Sequence, residues 1–206
     1  FGRILGLYLA EAHTTGIGET VWSFDAKKEK DTLVPELVGL LKEYGFKPLV
    51  YVSPSNPSVM QVIVCGKLWV RLFRSLCGRG AAGKRLHPDV LAGPEEFLGS
   101  LLNGWLAGDG CLEKGKYRVG ATVSRDLALN MFDVGNKLGL RPTILRCKPQ
   151  DNPILGVPIK NPHRTVWKVF FRAASDNYRV RLEESYVWRR VENISQGPYV
   201  GDVYNI

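Results

Sequence analysis

Ile4 to Ala12 reads ILGLYLAEA, and Leu102 to Gly110 reads LNGWLAGDG. Each stretch is an apolar run of helical character with small residues four positions apart, and each ends in one carboxylate. The two carboxylates, Glu11 and Asp109, lie 98 positions apart in a chain of 206 residues. A lone acid at the end of an apolar helix is unusual. Its recurrence half a chain later predicts two copies of one unit that meet at a shared acidic site.

The small residues of each motif are spaced to form a smooth stripe along a helix. Gly6 and Ala10 are four residues apart, and so are Gly104 and Gly108. Two helices with such stripes can approach until their backbones nearly touch. We therefore expect the two motif helices to pack against each other and to bring their terminal acids together.

A pair of carboxylates held this close is predicted to bind a divalent metal. The two charges repel and raise each other's pKa unless a cation lies between them. Oxygen ligands suit Mg²⁺, so Glu11, Asp109 and the backbone carbonyls of Ala10 and Gly108 are its predicted ligands, and Mn²⁺ or Ca²⁺ could substitute. Such a site can hydrolyse a phosphodiester by in-line attack of water. The alternative is that both acids merely end two helices, at some cost from the helix dipole.

The order of predicted elements is the same in both halves. After the first motif helix, the pattern predicts strand residues over 19–25, a helix over 32–44 capped by Asp31 and ended by Gly45, strands over 48–53 and 60–64, and a helix over 68–76. The second motif helix, over 94–108, precedes a strand over 117–123, a helix that Ser124 caps and Gly139 ends, and strands over 142–148 and 165–171. This repetition predicts two similar halves, residues 1–93 and 94–185, and an extension at 186–206.

Composition points to a polyanionic partner. The chain has 28 basic and 20 acidic residues, a net charge of +8 and an ordinary hydrophobic content of 45%. This excess favours nucleic acid, although a merely basic globular protein is the alternative. The four cysteines show no CxxC spacing, and the sequence has neither a long apolar run nor a signal architecture. We expect an intracellular protein, cut from a longer chain because it does not begin with Met.

Basic, aromatic and small polar side chains lie in or beside the predicted strands. A sheet face that carries them could enter a DNA groove, and the alternative is the solvated face of an antiparallel sheet. The predicted DNA-binding residues of the first half are Trp22, Ser23, Lys27, Lys28, Lys47 and Tyr51. Those of the second half are Lys114, Lys116, Arg118, Thr122, Ser124, Arg125, Arg141, Arg146, Lys148, Lys168 and Arg172.

The two motifs resemble the paired motifs of the LAGLIDADG homing endonucleases, in the single-chain form with two motifs. The stretch GKRLHP at 83–88 and Glu96 to Leu98 resemble the lead-in to the second motif in intein-encoded members. The resemblance implies an α+β fold of two pseudo-symmetric αββαββα halves, packed through their motif helices, with antiparallel sheets that form a saddle over the DNA major groove. It also implies a site-specific endonuclease that uses Glu11 and Asp109 with a divalent metal and leaves 3′ overhangs.

The resemblance adds a third catalytic candidate and a partner. Lys84, 25 positions before Asp109, matches the lysine of the lead-in and would stabilise charge on the phosphorane or polarise the water. A phosphate contact or a plain surface position are the alternatives for this lysine. Its counterpart in the second half stays open among Lys168, Arg189 and Arg190. The implied partner is double-stranded DNA with a long, pseudo-palindromic target, bound by a monomer.

Departures from the family pattern leave other functions open. The first motif has Glu11 where Asp is usual and Ala12 where Gly is usual, but Glu is tolerated there in the family, so we still expect cleavage. The rival is a non-cleaving DNA- or RNA-binding protein on the same fold, a regulator or a maturase. The ending GDVYNI resembles a closing strand of an intein splicing domain, or the tail is a β-hairpin that caps the second half. Splicing is not expected, because the initial nucleophile and the terminal His-Asn pair are missing.

Overall fold

The first half begins with the motif helix and continues through two pairs of strands. The computed structural model describes residues 1–113, 117–147, 165–172, 180–183, 186–189 and 198. The elements of the first half are α1 (Gly2–Glu11), β1 (Ala12–Thr14), β2 (Glu19–Asp25), α2 (Leu33–Glu43), β3 (Leu49–Ser53), β4 (Asn56–Cys65) and α3 (Lys67–Cys77). The strands form one antiparallel sheet in the order β1-β2-β4-β3.

The second half repeats this arrangement after a connection that contains a 3₁₀ turn (Ala81–Gly83) and the short helix α4 (Pro88–Leu91). Its elements are α5 (Glu95–Asp109), β5 (Gly110–Glu113), β6 (Tyr117–Thr122), α6 (Arg125–Lys137), β7 (Thr143–Cys147) and β8 (Val166–Phe171). The sheet order is β5-β6-β8-β7, which is the order of the first sheet. The α+β fold with two similar halves is therefore confirmed, while the closing helix expected for the second half lies outside the described residues.

A second compact unit follows the two halves. The chain divides into Phe1–Ala173 and Ala174–Ile206. The described residues of the second unit form an antiparallel hairpin of β9 (Val180–Glu183) and β10 (Tyr186–Arg189). This hairpin joins residues on both sides of the boundary expected between 185 and 186, and the domain boundaries stay predictions.

The middle helices of the two halves end in the same way. Gly45 after α2 and Gly139 after α6 take positive φ angles of 77° and 66°. This left-handed conformation costs glycine little and closes the last turn of a helix. In each case the next residue donates its N–H back to the final turn, Phe46 to the carbonyl of Leu41 at 3.0 Å and Leu140 to that of Gly135 at 2.9 Å.

The beginning of α2 differs from the prediction. Its N-cap is Thr32, which makes no side-chain capping bond, so the cap predicted at Asp31 is wrong. Asp25 satisfies backbone donors in the turns that precede the helix, because its Oδ1 accepts the N–H groups of Lys27 at 2.8 Å and Lys28 at 3.0 Å. Several candidate caps lie close together in this stretch, and local sequence does not say which one binds the backbone.

Helices α1 and α5 cross with their backbones in contact. A Cβ added to Gly104 would lie 2.6 Å from the carbonyl oxygen of Arg3 and 3.0 Å from the Cα of Gly6. A Cβ added to Gly6 would overlap the carbonyl oxygen of Leu101. No side chain fits at such distances, so the crossing requires glycine on both helices. The packing predicted from the small-residue stripes is confirmed.

The two halves fill equivalent parts of the core with side chains from different elements. The 98-residue offset between the motifs relates Leu7 to Trp105 on the helices and Trp22 to Gly120 on the strands. Both indoles are 0% exposed. In the first half the large side chain comes from the strand, and in the second it comes from the helix, where a Cβ on Gly120 would overlap the Trp105 ring. Each half thus buries one indole, although the two come from exchanged positions.

Candidate active site and nucleic-acid interface

The two motif acids lie side by side at one end of the helix pair. Glu11 is the last residue of α1, and Asp109 is the last residue of α5. A Cβ added to Gly108 would lie 2.5 Å from Oε1 of Glu11 and 2.6 Å from the Cβ of Ala10. The Glu11 carboxylate therefore lies against the backbone that carries Asp109. The structure brings together all four predicted metal ligands.

Burial of the acids changes their protonation. Desolvation, reinforced by the charge of Asp109, raises the pKa of Glu11 to about 7. Desolvation raises the pKa of Asp109 to about 6, while the positive charge of Lys84 opposes this shift. In the part of the chain that the structure describes, neither carboxylate forms an ion pair. The ionised forms of both acids are therefore disfavoured, and the positive charge of Lys84 compensates them only partly.

Lys84 is buried beside these acids, with 8% of its surface exposed. Its Nζ donates to the carbonyl oxygens of Leu9 at 2.6 Å and Ala10 at 3.4 Å. Both residues belong to the last turn of α1. Desolvation lowers the pKa of Lys84, and the charges of Asp109 and Glu11 oppose that shift. The lysine thus satisfies carbonyls that the helix end leaves open and places a cation next to both carboxylates.

A cavity of about 310 Å³ opens at this position and is lined by Ala10, Lys84, Asp109 and Thr122, among others. It lies between the end of α1, the end of α5 and the ends of the two central strands of the second sheet, β6 and β8. A group that entered this space would meet a carboxylate, an ammonium group and a backbone carbonyl. This combination suits a phosphate with its accompanying cation.

The donor set fits a divalent metal. Oxygen ligands are what Mg²⁺ and Ca²⁺ prefer, and both carboxylates carry raised pKa values that an inserted cation would relieve. Within the described ranges no three His, Cys, Asp or Glu side chains cluster. Two carboxylates and the carbonyls of Ala10 and Gly108 form an incomplete shell, which water or a substrate phosphate would complete.

Strand register identifies the open face of the first sheet. Trp22 pairs with Val62, and both are buried in the core between sheet and helices. Alternate residues point the other way, so Ser23, Gln61 and Tyr51, which are paired in register, form a polar row across the opposite face. The predicted residues Ser23 and Tyr51 therefore lie on the open face. Lys27, Lys28 and Lys47 are exposed in the segments next to β2 and β3.

Two predicted DNA contacts are wrong because their side chains are buried. Trp22 is 0% exposed, and its ring packs edge-on against Phe73 at a centroid distance of 5.4 Å. Ser124 is 1% exposed, and its hydroxyl accepts the N–H of Leu127 at 3.2 Å as the N-cap of α6. An aromatic or small polar residue in a strand-rich region does not reveal which face it occupies, and burial removes both from any groove.

Three further predicted contacts lie on the helix side of the second sheet. Arg118 pairs with the core residue Phe171, and its Nη2 donates to Asn103 on α5 at 2.7 Å. Thr122 and Arg146 both pair with Trp167, and Thr122 is only 9% exposed. Strand alternation places these three residues on the side of the sheet that faces the helices, and their contact with DNA stays a prediction.

Other predicted residues remain compatible with an interface. Lys168 lies on the open face of the second sheet, in register with Ala121 and Leu145. The guanidinium group of Arg172 lies 4.6 Å from the centre of the Tyr117 ring. Arg125 is exposed at the start of α6, and Arg141 precedes β7. Lys114, Lys116, Lys148 and Arg190 lie outside the described residues, so their predicted roles are unchanged.

Sequence reasoning missed Gln61, which occupies the centre of the polar row between Ser23 and Tyr51. The signal was present, because Gln61 is the one polar residue in the apolar run at 59–64. Asn130 was also missed. Its Oδ1 accepts the N–H of Leu86 at 2.8 Å, and a contact 44 positions apart in sequence has no local signature.

Paired motif helices and two four-stranded antiparallel sheets form an α+β fold of two similar halves, which matches the LAGLIDADG fold of I-DmoI. Mesophilic variants of the homing endonuclease I-DmoI match with a TM-score of 0.55 at 14% identity, over 82% of this chain and 86% of that chain. I-DmoI in complex with DNA and Mn gives 0.53 at 16% identity, over 82% and 87%. The N-terminal LAGLIDADG domain of DUF199/WhiA gives 0.52 at 10% identity, over 85% and 76%. At these identities the likeness shows the fold alone.

In sequence, the chain is similar to the ATP-dependent DNA helicase Hel308 of Thermococcus kodakarensis, with 26% identity over 222 residues. The match takes in 99% of this chain and 20% of the helicase, so the chain spans about a fifth of that relative. No family model matches the chain. Among the described residues, no helix has the length and apolar character needed to cross a membrane.

Proposed function

We propose that this chain is a metal-dependent, sequence-specific double-strand DNA endonuclease of the homing type. One observation carries the proposal. Glu11 and Asp109, from equivalent positions 98 residues apart, end two helices whose backbones touch, and both carboxyl groups have raised pKa values. A structural role alone gives no reason to bury two acids at one point. The fold shared with a homing endonuclease supports the same conclusion.

Different residues would have different roles in phosphodiester hydrolysis. Glu11 and Asp109, with the carbonyls of Ala10 and Gly108, would hold the divalent cation, which when bound activates water and stabilises the leaving oxygen. Lys84 lines the cavity that contains Asp109. Its ammonium group would stabilise the negative charge that develops on the phosphorane. With one acid from each half, the product would be a double-strand break with 3′ overhangs.

DNA would lie along the open faces of the two sheets. Ser23, Gln61 and Tyr51 are in register on the first sheet, and Lys168 lies on the second. These side chains would present hydrogen-bonding groups to the major groove. The lysines beside the strands would contact phosphates, which position the duplex without reading its sequence. Because the halves are similar and belong to one chain, a monomer would bind a long, pseudo-palindromic target.

A non-cleaving DNA- or RNA-binding protein is the second candidate. The fold also occurs in the LAGLIDADG domain of WhiA, so architecture alone does not select cleavage. The presence of both acids and of Lys84 at the helix ends favours the endonuclease. A regulator or maturase would need the open sheet faces but not the buried acidic pair.

The context we propose is a domain encoded within an intein, acting inside the cell. The similarity to one segment of a DNA helicase supports this, because an endonuclease inserted in a host protein would match only part of it. The lead-in that contains Lys84 and the ending GDVYNI agree with such an origin. Helicase activity is not proposed for this chain.

The test is a cleavage selection on a randomised DNA library, followed by assays on a supercoiled plasmid that carries the selected target. We expect linear product with 3′ overhangs that depends on Mg²⁺, or on Mn²⁺ in its place. The control protein is the doubly substituted Glu11→Gln, Asp109→Asn chain, which should bind the same target and leave it supercoiled. Specific binding by the unmodified chain without linearisation would establish the second candidate instead.

A further inference from the structure

The connection between the halves carries Lys84, and the first half holds one end of it. The hydroxyl of Tyr8 on α1 donates to the carbonyl oxygen of Gly78 at 3.0 Å. Gly78 forms an isolated antiparallel bridge with Lys84, and the N–H of Arg85 donates to the carbonyl of Cys77 at 3.0 Å. The backbone of Lys84 is thus folded against the end of α3.

The second half holds the same connection from the other side. Ser124 Oγ donates to the carbonyl oxygen of Lys84 at 2.6 Å. Six residues further along, Asn130 Oδ1 accepts the N–H of Leu86 at 2.8 Å. Ser124 is the N-cap of α6 and Asn130 lies in the middle of this helix. The Ser124 hydroxyl also accepts the N–H of Leu127 at 3.2 Å. One hydroxyl therefore fixes the beginning of the helix and the backbone of the lysine together.

These attachments determine where the lysine side chain can reach. Its Nζ donates to the carbonyl oxygens of Leu9 and Ala10 and lies 5.9 Å from the centre of the Tyr8 ring. With the backbone held by α6 and the tip held by α1, the long side chain loses most of its rotamer freedom.

We propose that Ser124 and Asn130 are positioning residues for the cleavage step, which they serve by placing the Lys84 ammonium group in the cavity beside Asp109. The proposal rests on the proposed endonuclease function. It assigns Ser124, which the sequence suggested as a DNA contact, to the support of a catalytic group. Among the residues that the structure describes, Lys84 is the only lysine that reaches the acids. Under this proposal, its position depends on contacts with both halves.

The first experiment compares Asn130→Ala with Asn130→Asp, because aspartate keeps the acceptor for the Leu86 N–H. A displacement of about 1 Å can cost roughly 100-fold in rate. We expect Asn130→Ala to lower the single-turnover cleavage rate about 10-fold or more, and Asn130→Asp to restore most of it. DNA affinity, measured in an Asp109→Asn background, should stay within about 2-fold, because no group on the open face has changed. Asp133→Ala, an exposed position on the same helix, is the control.

A second substitution separates positioning from helix capping. Ser124→Asp keeps an N-cap acceptor for Leu127 but has no proton to donate to the Lys84 carbonyl. We expect it to retain helix content and to slow cleavage as Asn130→Ala does, whereas Ser124→Thr, which keeps the hydroxyl, should cleave near the wild-type rate. A Ser124→Asp protein that cleaves at the wild-type rate would overturn the assignment of Ser124.

A third measurement does not depend on cleavage. Limited acetylation followed by mass spectrometry reports the reactivity of each lysine, and Lys84 should become several-fold more reactive in Asn130→Ala but not in Asn130→Asp or Asp133→Ala. Lys42 on α2 serves as the internal reference. Unchanged reactivity of Lys84 in Asn130→Ala would overturn the proposal. The proposal would also fail if Asn130→Ala slowed cleavage as much in a Lys84→Met background as it does in the wild type. Absence of cleavage by the wild type would overturn the proposed function, and the acetylation comparison would still decide the positioning.

Discussion

Gly6 and Gly104 face each other where α1 and α5 cross, and a Cβ on Gly104 would lie 3.0 Å from the Cα of Gly6. The two helices end five residues later in Glu11 and Asp109. The separation of the acids is therefore set by a backbone contact and not by flexible side chains. Substitutions at the crossing should affect both folding and the acidic site.

Gly104→Ala should destabilise the fold by about 1–3 kcal/mol, because the new Cβ would press on the backbone of α1 and the helices would have to separate. Urea unfolding followed by circular dichroism measures this change. The matched control is Gly39→Ala in α2, where a Cβ meets nothing within 4 Å. That control should gain about 0.5–1 kcal/mol from helix propensity. Equal effects at the two sites would contradict the close crossing.

Asp109→Asn should abolish double-strand cleavage and leave DNA binding largely intact. The amide has nearly the same shape but lacks the charge needed to hold a cation. Plasmid linearisation and a gel-shift assay on the same target measure the two activities separately. Cutting at the wild-type rate would remove Asp109 from the mechanism.

In the absence of metal, stability should fall as pH rises from about 4 to 8. Burial raises the pKa of Glu11 to about 7 and that of Asp109 to about 6, so the folded state binds more protons than the unfolded state. The stabilisation is complete below the unfolded pKa values and is lost through pH 6 to 7. Asp109→Asn should flatten the profile and add on the order of 1–2 kcal/mol at pH 8, after allowance for solvent screening.

The control for this pH profile is Asp25→Asn. Backbone N–H groups of Lys27 and Lys28 hold the pKa of Asp25 below its usual range. Its ionised form therefore favours the folded state above the unfolded pKa, and that contribution is lost as pH falls. Thermal unfolding at pH 4, 6 and 8 should show effects of opposite sign for the two substitutions. The same sign for both would contradict the burial of the acidic pair.

Mg²⁺ should raise the unfolding temperature of the protein more at pH 8 than at pH 5.5. A cation binds the deprotonated carboxylates, and the raised pKa values keep these protonated at the lower pH. Differential scanning fluorimetry with and without Mg²⁺ measures the shift. Asp109→Asn should lose most of it, and a pH-independent shift would place the metal elsewhere.

DNA affinity should fall steeply with salt, because phosphate contacts release counterions. Lys168→Gln on the open face should weaken binding and lower the slope of log affinity against log salt by about 1 if that lysine contacts a phosphate. Lys42→Gln on α2, which packs against the opposite face, is the control. Fluorescence anisotropy between about 50 and 200 mM salt covers the useful range. A flat dependence would argue against the open sheet faces as the docking surface.

The motif helices and their meeting were predictable because the signals are local. Apolar periodicity, small residues four apart and a terminal acid all lie within nine residues, and their repetition supplied the duplicated architecture. Glycines after α2 and α6 marked both helix ends for the same reason. The proximity of Glu11 and Asp109 was predictable from these local features alone.

Other features depend on contacts between distant parts of the chain. Which face of β2 is buried follows from the helices that cover it, so Trp22 could be assigned to the core only after those helices were in place. Ser124 meets the backbone of Lys84 across 40 positions, and Asn130 meets Leu86 across 44. Such hydrogen bonds leave no periodic trace, because each forms only when α6 packs against the connection. Helix pairing was thus encoded in nine-residue patterns, whereas the support of the lysine arose from the way the halves pack together.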